Sequence, residues 1–359
     1  MTTTQPITGD ISVSDSALLD ALHASRHALD QGHSRLGLEH AQVALRLLEP
    51  GTPDIQSHQT HRLLAQHLYQ LGQLDHALEQ AAMALHQATD AGLSSERQDA
   101  LAMLSLLLLE QGLLEEGLEV ALEARELAGQ LGGQSRISWA HNRIAVCLGY
   151  AGRYAESLEH IQAAHRHALQ SEDKATVLSA LNNGVAIRIE QAFDALASEQ
   201  FAEADAMAEA AWPWANEAES MLPALFDSYR HVVTQCNLGE LRGLLGAPLE
   251  GMERLEQALD RALARGYRRA AVTLKHAQAR MSLYQGEHDA AERYIGEALV
   301  QTRHSWSKDR ARLLKLLVQL HRARHDAIAK AQVEAAMQQW EADRLQLRHR
   351  VQHWLHAGS

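Results

Sequence analysis

Histidines are unusually abundant among the residues with chemical potential in this chain, 22 of 359, and their spacing speaks against a reaction. His23 and His27 stand four apart, as do His349 and His353, so each pair shares a helical face. Neither pair has the adjoining glutamate of a zinc-protease helix, and no third ligand follows. His165 and His167 point to different faces. Cys147 and Cys236 form neither a Cys-x-x-Cys site nor a disulfide framework, which suits a reducing compartment. There is no Walker-type phosphate loop and no nucleophile-elbow glycine-serine motif. Asp194, Glu199, Glu203 and Asp205 fall close together, but their spacing shows only an acidic face. The expectation is a protein that is not an enzyme, with no catalytic residues, no metal and no cofactor.

The elements that would position these residues repeat. Gly32, Gly72, Gly112 and Gly152 are forty residues apart, and Gly246 and Gly286 keep the same interval. Each follows an apolar helical stretch. Twelve residues beyond them stand Ala44, Ala84, Ala124, Ala164, Ala258 and Ala298. Leu74, Ala77, Leu78, Ala81 and Leu85 show why the stretches are helical: spacings of three and four make one apolar face that only another helix can bury. A repeat of paired helices follows, that is, an all-α solenoid. Between pairs, Gly92 with Ser94 and Gly132 with Ser135 read as C-cap glycines followed by N-cap serines.

Polar residues 1–14 predict a disordered leader, residues 15–327 the repeat array, and residues 328–359 a long C-terminal helix. An irregular joint is expected near 192–220. The corner due at residue 192 is seven residues late, close to two helical turns, which predicts a longer helix rather than a new loop. At Trp212-Pro213-Trp214 the helix is expected to stop or kink, with the tryptophans covering the joint. In the last helix, Met337, Trp340, Arg344, Leu347, Val351 and Trp354 alternate spacings of three and four, nearly a coiled-coil seam. Two readings stand side by side: a cap over the terminal repeat, or a helix that pairs two copies through Met337, Trp340, Leu347, Val351 and Trp354.

The corners resemble the tetratricopeptide repeat family. Gly152, Tyr154, Ser157, Leu158 and Ala164 match its glycine, aromatic and small packing positions. Gly72, Leu74, Ala77, Leu78 and Ala84, and Gly286, Ala291 and Ala298, look like further copies. Gly37, Gly117 and Gly251 depart from it, standing where the family favours alanine. The forty-residue period is similar to the long-helix arrays of bacterial regulators. The resemblance implies a right-handed superhelix with the first helix of each pair lining a concave groove. Carried over copy by copy, the groove residues are Gln59, Arg62 and Gln66; Asn142 and Arg143; Asn237; His276 and Arg280; Lys315 and Gln319. Arginine and lysine pair with carboxylates, and asparagine bonds a peptide backbone whatever its side chains. The implied function is a non-catalytic adaptor or sensor that holds a protein or peptide segment, an acidic one among the candidates. The alternative is a ligand-responsive regulator that forms a homodimer through the C-terminal helix.

Charge limits the partners. Residues 301–359 carry a net +6 and the remaining chain −18, giving −12 overall. An acidic body fits nucleic acid poorly, so no nucleic-acid partner is expected. Fully apolar runs such as Leu106 to Leu109 are far too short to span a bilayer, and the polar residues 1–16 give no expectation of a signal peptide. A cytoplasmic setting without membrane insertion is the expectation.

Overall fold

The computed structural model describes residues 13–50, 52, 54–225, 228–302 and 308–356. Residues 1–12 of the expected leader therefore lie outside the described residues. Helices follow in antiparallel pairs: α1 (Val13–Asp30) with α2 (Ser34–Arg46), α3 (Asp54–Gln70) with α4 (Leu74–Asp90), and α5 (Ser94–Glu110) with α6 (Leu114–Leu131). Next come α7 (Gln134–Tyr150) with α8 (Tyr154–Ser171) and α9 (Lys174–Ala197) with α10 (Phe201–Ser220). A 3-10 turn, Leu222–Leu225, leads to α11 (Tyr229–Leu244) with α12 (Pro248–Ala264) and α13 (Arg268–Tyr284) with α14 (His288–Gln301). The last pair is α15 (Lys308–Ala323) with α16 (Ala327–His356). Each helix packs on the next, and odd-numbered helices also touch one another, giving a right-handed superhelical solenoid.

The corners are tight because glycine permits a left-handed residue. Gly72 has φ +76°, and the next amide, Gln73, donates to the Leu68 carbonyl at 2.8 Å. This closes the carbonyls of one helix while the next begins at once. In the two corners within a pair that lack glycine, Glu199 (φ 59°) and His325 (58°) adopt the same conformation, which costs a side-chain-bearing residue more. Gly92 and Gly132 also lie in the left-handed region, but the serines after them do not cap. The N-cap residues are Leu93 and Gly133, so Ser94 and Ser135 fall inside α5 and α7.

Small residues set the spacing between helices. Ala44, Ala84, Ala124, Ala164, Ala258 and Ala298 are all buried. The glycines that depart from the repeat pattern sit where helices approach closest. A Cβ on Gly37 would enter the His67 ring, and one on Gly251 would overlap the Gly239 carbonyl oxygen. Both crossings exclude the usual alanine.

The seven-residue delay is taken up in α9, which has 24 residues where α7 has 17. Of the stop or kink expected at Pro213, the stop does not occur. α10 runs through it to Ser220. Proline removes one backbone donor, but Ala211 and Ala215 on either side are buried, so packing keeps the helix continuous.

The solenoid closes on itself. α13 touches α3, and α15 touches α5. The Tyr267 hydroxyl donates to the Gly32 carbonyl at 2.7 Å across most of the chain. α16 returns to the first repeats: Leu347 and Val351 join the core built by α1 to α6. Trp340 packs on Gly112, whose carbonyl accepts from Arg344 at 2.8 Å.

Candidate binding cleft

The closed solenoid encloses a cleft of about 1230 Å³, lined almost entirely by odd-numbered helices. The lining keeps the forty-residue period, because equivalent turns of successive first helices face inward. Arg62 and Asn182 occupy one such register, Gln66 and Leu106 another, and Glu110, Tyr150 and Glu190 a third.

One wall is amide-rich. Asn183 donates to Asn142 at 2.9 Å, and Asn142 donates in turn to Ser179 at 3.0 Å. Asn182 donates to Thr234 at 2.9 Å, and Asn237 donates to the Asn182 carbonyl at 3.0 Å. These bonds fix the amides, and the Asn237 side-chain oxygen stays available for a guest. Extended backbone offers alternating donors and acceptors that such amides match.

The floor is charged. The Glu110 carboxylate is 2% exposed and accepts from Arg269 at 2.6 and 2.9 Å. It also pairs with Lys308 at 3.1 Å, so α5, α13 and α15 meet at one carboxylate. Burial raises the Glu110 carboxyl, but Arg269 and Lys308 outweigh that and hold it below its ordinary value. Burial lowers Arg269 and Lys308, and Glu110 more than restores both. Arg269 also donates to the Tyr229 hydroxyl at 2.8 Å and lies over Tyr69, while Lys308 lies over Tyr150.

At two other cleft cations burial outweighs the nearby negative charges. Arg143 stacks on Trp139, 5.1 Å from the ring centroid, and its buried Nε has no hydrogen-bond partner among the described residues. Arg62 makes no hydrogen bond or ion pair there either, and burial pushes both guanidiniums below their ordinary value.

Of the residues expected in the groove, Arg62, Gln66, Arg143 and Asn237 line this cleft. Asn142 is buried behind it, supporting Asn183. Gln59 lies on α3 outside the lining, and exposed Lys315 and half-buried Gln319 lie on α15, also outside it. Arg280 is buried in a separate network, donating to Glu240 at 2.6 and 2.9 Å and to Glu190 at 3.0 Å. Arg312 also bonds Glu190. His276 is buried nearby, and burial followed by the cations Arg312 and Arg280 keeps it neutral. Tyr69, Glu110, Trp139, Arg269 and Lys308 were missed, although Glu110 falls forty residues from Tyr150 in a register the period defines.

On α16, Trp340, Leu347 and Val351 are buried within the chain and Met337 is half-buried. The side chain of Trp354 lies outside the described residues. Among the described residues no group of three or more His, Cys, Asp or Glu is placed to hold a metal ion, and no helix is long and apolar enough to cross a membrane.

No family model matches the chain, and no curated protein sequence does. Solved structures match it well. A Rap protein complexed with competence and sporulation factor aligns with a TM-score of 0.60 at 16% identity, over 82% of this chain and 76% of that one. NprR in complex with its cognate peptide NprX gives 0.52 at 14%, over 90% and 87%. The chain has a tetratricopeptide-type fold. Aspartyl phosphate phosphatase F from Bacillus subtilis, with a TM-score of 0.52 at 13% identity, covers the solenoid from end to end, 96% of each chain. At these identities the likeness extends to the fold alone.

Proposed function

We propose that this protein is a non-catalytic adaptor or sensor that holds an extended peptide or protein segment in the cleft. The observation that carries the reading is the cleft itself, where fixed amides and the guanidiniums of Arg62 and Arg143, unpaired among the described residues, line one cavity. Amides suit a backbone of any sequence, and the guanidiniums favour an acidic segment over a basic one. Two of the similar structures were solved with a bound factor or peptide, which supports the same use of the fold. We take the setting to be the cytoplasm. Pairing of two copies through α16 would have to use another of its faces, because Trp340, Leu347 and Val351 pack within the chain.

The test is selection of short random peptides on the immobilised full chain, read by mass spectrometry. Wild type is expected to retain a defined subset, and the double variant Gln66→Ala/Asn237→Ala to lose it while keeping its helicity. Equal retention by both proteins would move the binding site out of the cleft.

A further inference from the structure

Paired helices put every corner within a pair on one edge of a solenoid and every link between pairs on the other. Closure brings these two edges of the chain together. Tyr267, in the link before α13, donates to the carbonyl of the first corner glycine, Gly32, and Arg268 lies against the second, Gly72. Trp340 and Arg344, at the level of α16 where α15 begins, lie against the third, Gly112. The link edge of later pairs thus seats on the corner edge of pairs well before them, as the contacts of α13 with α3 and of α15 with α5 also show. Two stretches of edge stay open. A Cβ on the corner glycines Gly152, Gly246 and Gly286, or on the link glycines Gly92 and Gly132, would meet no described atom within 4 Å. Leu249, Ile328 and Phe201, at 85%, 76% and 60%, are the most exposed large apolar residues described, and each is the first or second residue of the second helix in its pair. Singly scattered exposure is ordinary, but here it gathers on one edge, at the starts of α10, α12 and α16. The open links carry Leu131 and Leu169, exposed at the ends of α6 and α8.

We propose that the open corner edge of α9–α16 docks on the open link edge of α1–α8 in a second copy, so that chains stack head to tail and prolong the superhelix. The occupant follows from continuity: within the chain a corner edge already takes a link edge, and each copy leaves a stretch of both unused. Such a contact is heterologous, with different surfaces on its two sides, so it does not close at two chains. None of the five exposed apolar side chains lines the cleft, and Ile328 lies outside the face that α16 buries within the chain. Both edges also carry exposed carboxylates, Glu199 and Glu287 at the corners and Asp90 and Glu172 at the links. Like charge opposes the apolar contact, so screening by salt is expected to strengthen the stacking.

Analytical ultracentrifugation of the full chain over a wide concentration range tests this. Wild type is expected to gain mass continuously with concentration, past two chains, and more steeply in added salt. Leu249→Glu at a corner and Leu169→Glu at a link each put a charge into the apolar contact and are expected to weaken association about tenfold or more. Ile328→Glu repeats the test at a second corner. All three positions are exposed, so these variants are expected to keep the helicity and melting point of wild type. Met83→Glu, exposed midway along α4 and away from both edges, is expected to associate as wild type does. Leu249→Glu keeps a sound link edge and Leu169→Glu a sound corner edge, so an equimolar mixture of the two is expected to reach two chains and stop. A wild type that stays a single chain at every concentration, or that stops at two, overturns the proposal. So does association that the edge variants leave intact, that Met83→Glu weakens equally, or that salt weakens.

Discussion

Replacing Glu110 by glutamine tests whether the ion cluster holds the two ends of the solenoid together. The carboxylate is 2% exposed and is the shared partner of Arg269 and Lys308. Its removal leaves two buried cations facing each other, and breaking a buried pair this way costs about 3–5 kcal/mol. Two features soften the loss. Arg269 keeps the Tyr229 hydroxyl and the Tyr69 ring, and Lys308 keeps the Tyr150 ring. Such ring contacts are each worth up to about 2 kcal/mol when desolvated. The expected cost is therefore near the lower bound, about 3 kcal/mol, a large share of the roughly 5–15 kcal/mol that holds most proteins folded. Urea unfolding followed by far-UV circular dichroism measures it, with the slope checked for a change in cooperativity. A double-mutant cycle with Arg269→Met isolates the pair, because the second substitution should return part of the loss. The pH profile supplies a second readout. The folded carboxyl lies below its ordinary 4.5, so its contribution is complete above that value and fades as pH falls through the lower folded one. Wild type and Glu110→Gln should thus converge in acid. A cost below about 1 kcal/mol, with no coupling to Arg269, would refute the cluster as the clasp of the solenoid.

Other perturbations have equally definite outcomes. Gly251→Ala forces a methyl into the Gly239 carbonyl, where neither helix backbone can yield cheaply, and should destabilise by about 1–3 kcal/mol in the same unfolding assay. Leu347→Ala removes a side chain buried among the first repeats, and should cost about 2–5 kcal/mol and loosen α16, seen as faster hydrogen exchange there. His67 is fully buried, and burial holds it at about 4 against an ordinary 6.5. The unfolded chain then binds the extra proton, so stability is complete above 6.5 and declines as pH falls towards 4. That difference is worth about 3 kcal/mol, and His67→Gln should flatten this part of the pH profile.

The fold was legible because its punctuation is local. A glycine every forty residues fixes a corner, and alanine twelve residues later fixes a close crossing, so pairing follows without long-range information. The N-caps misled because Ser94 and Ser135 resemble capping residues, whereas the continuous corner begins its helix one residue earlier or at the glycine. Pro213 does not end its helix, because burial of Ala211 and Ala215 outweighs one missing backbone donor.

The cleft was legible only where one repeat suffices. Arg62, Gln66, Arg143 and Asn237 face inward by their place in a repeat. Arg280 shares that helical side, yet the carboxylates of Glu190 and Glu240, from other pairs, draw it into the packing. The Glu110 cluster joins residues 159 and 198 positions apart in the chain, Arg269 and Lys308. Its assembly depends on closure of the superhelix, and a repeat pattern alone does not specify how far that curvature runs. The same closure buries Trp340, Leu347 and Val351, whose spacing equally suits a seam between two chains.

The most direct test of the cleft as the binding site is photo-cross-linking. A photoreactive residue replaces Val233, which lines the cleft, or Leu169, which is 54% exposed on α8, in the full chain. Each protein is irradiated with the random peptide pool, and adducts are mapped by mass spectrometry. Peptide adducts at position 233 that far exceed those at 169, and that disappear with excess of a selected peptide, are the predicted result. Equal labelling at the two positions, or labelling at 233 that the selected peptide does not displace, would contradict the account.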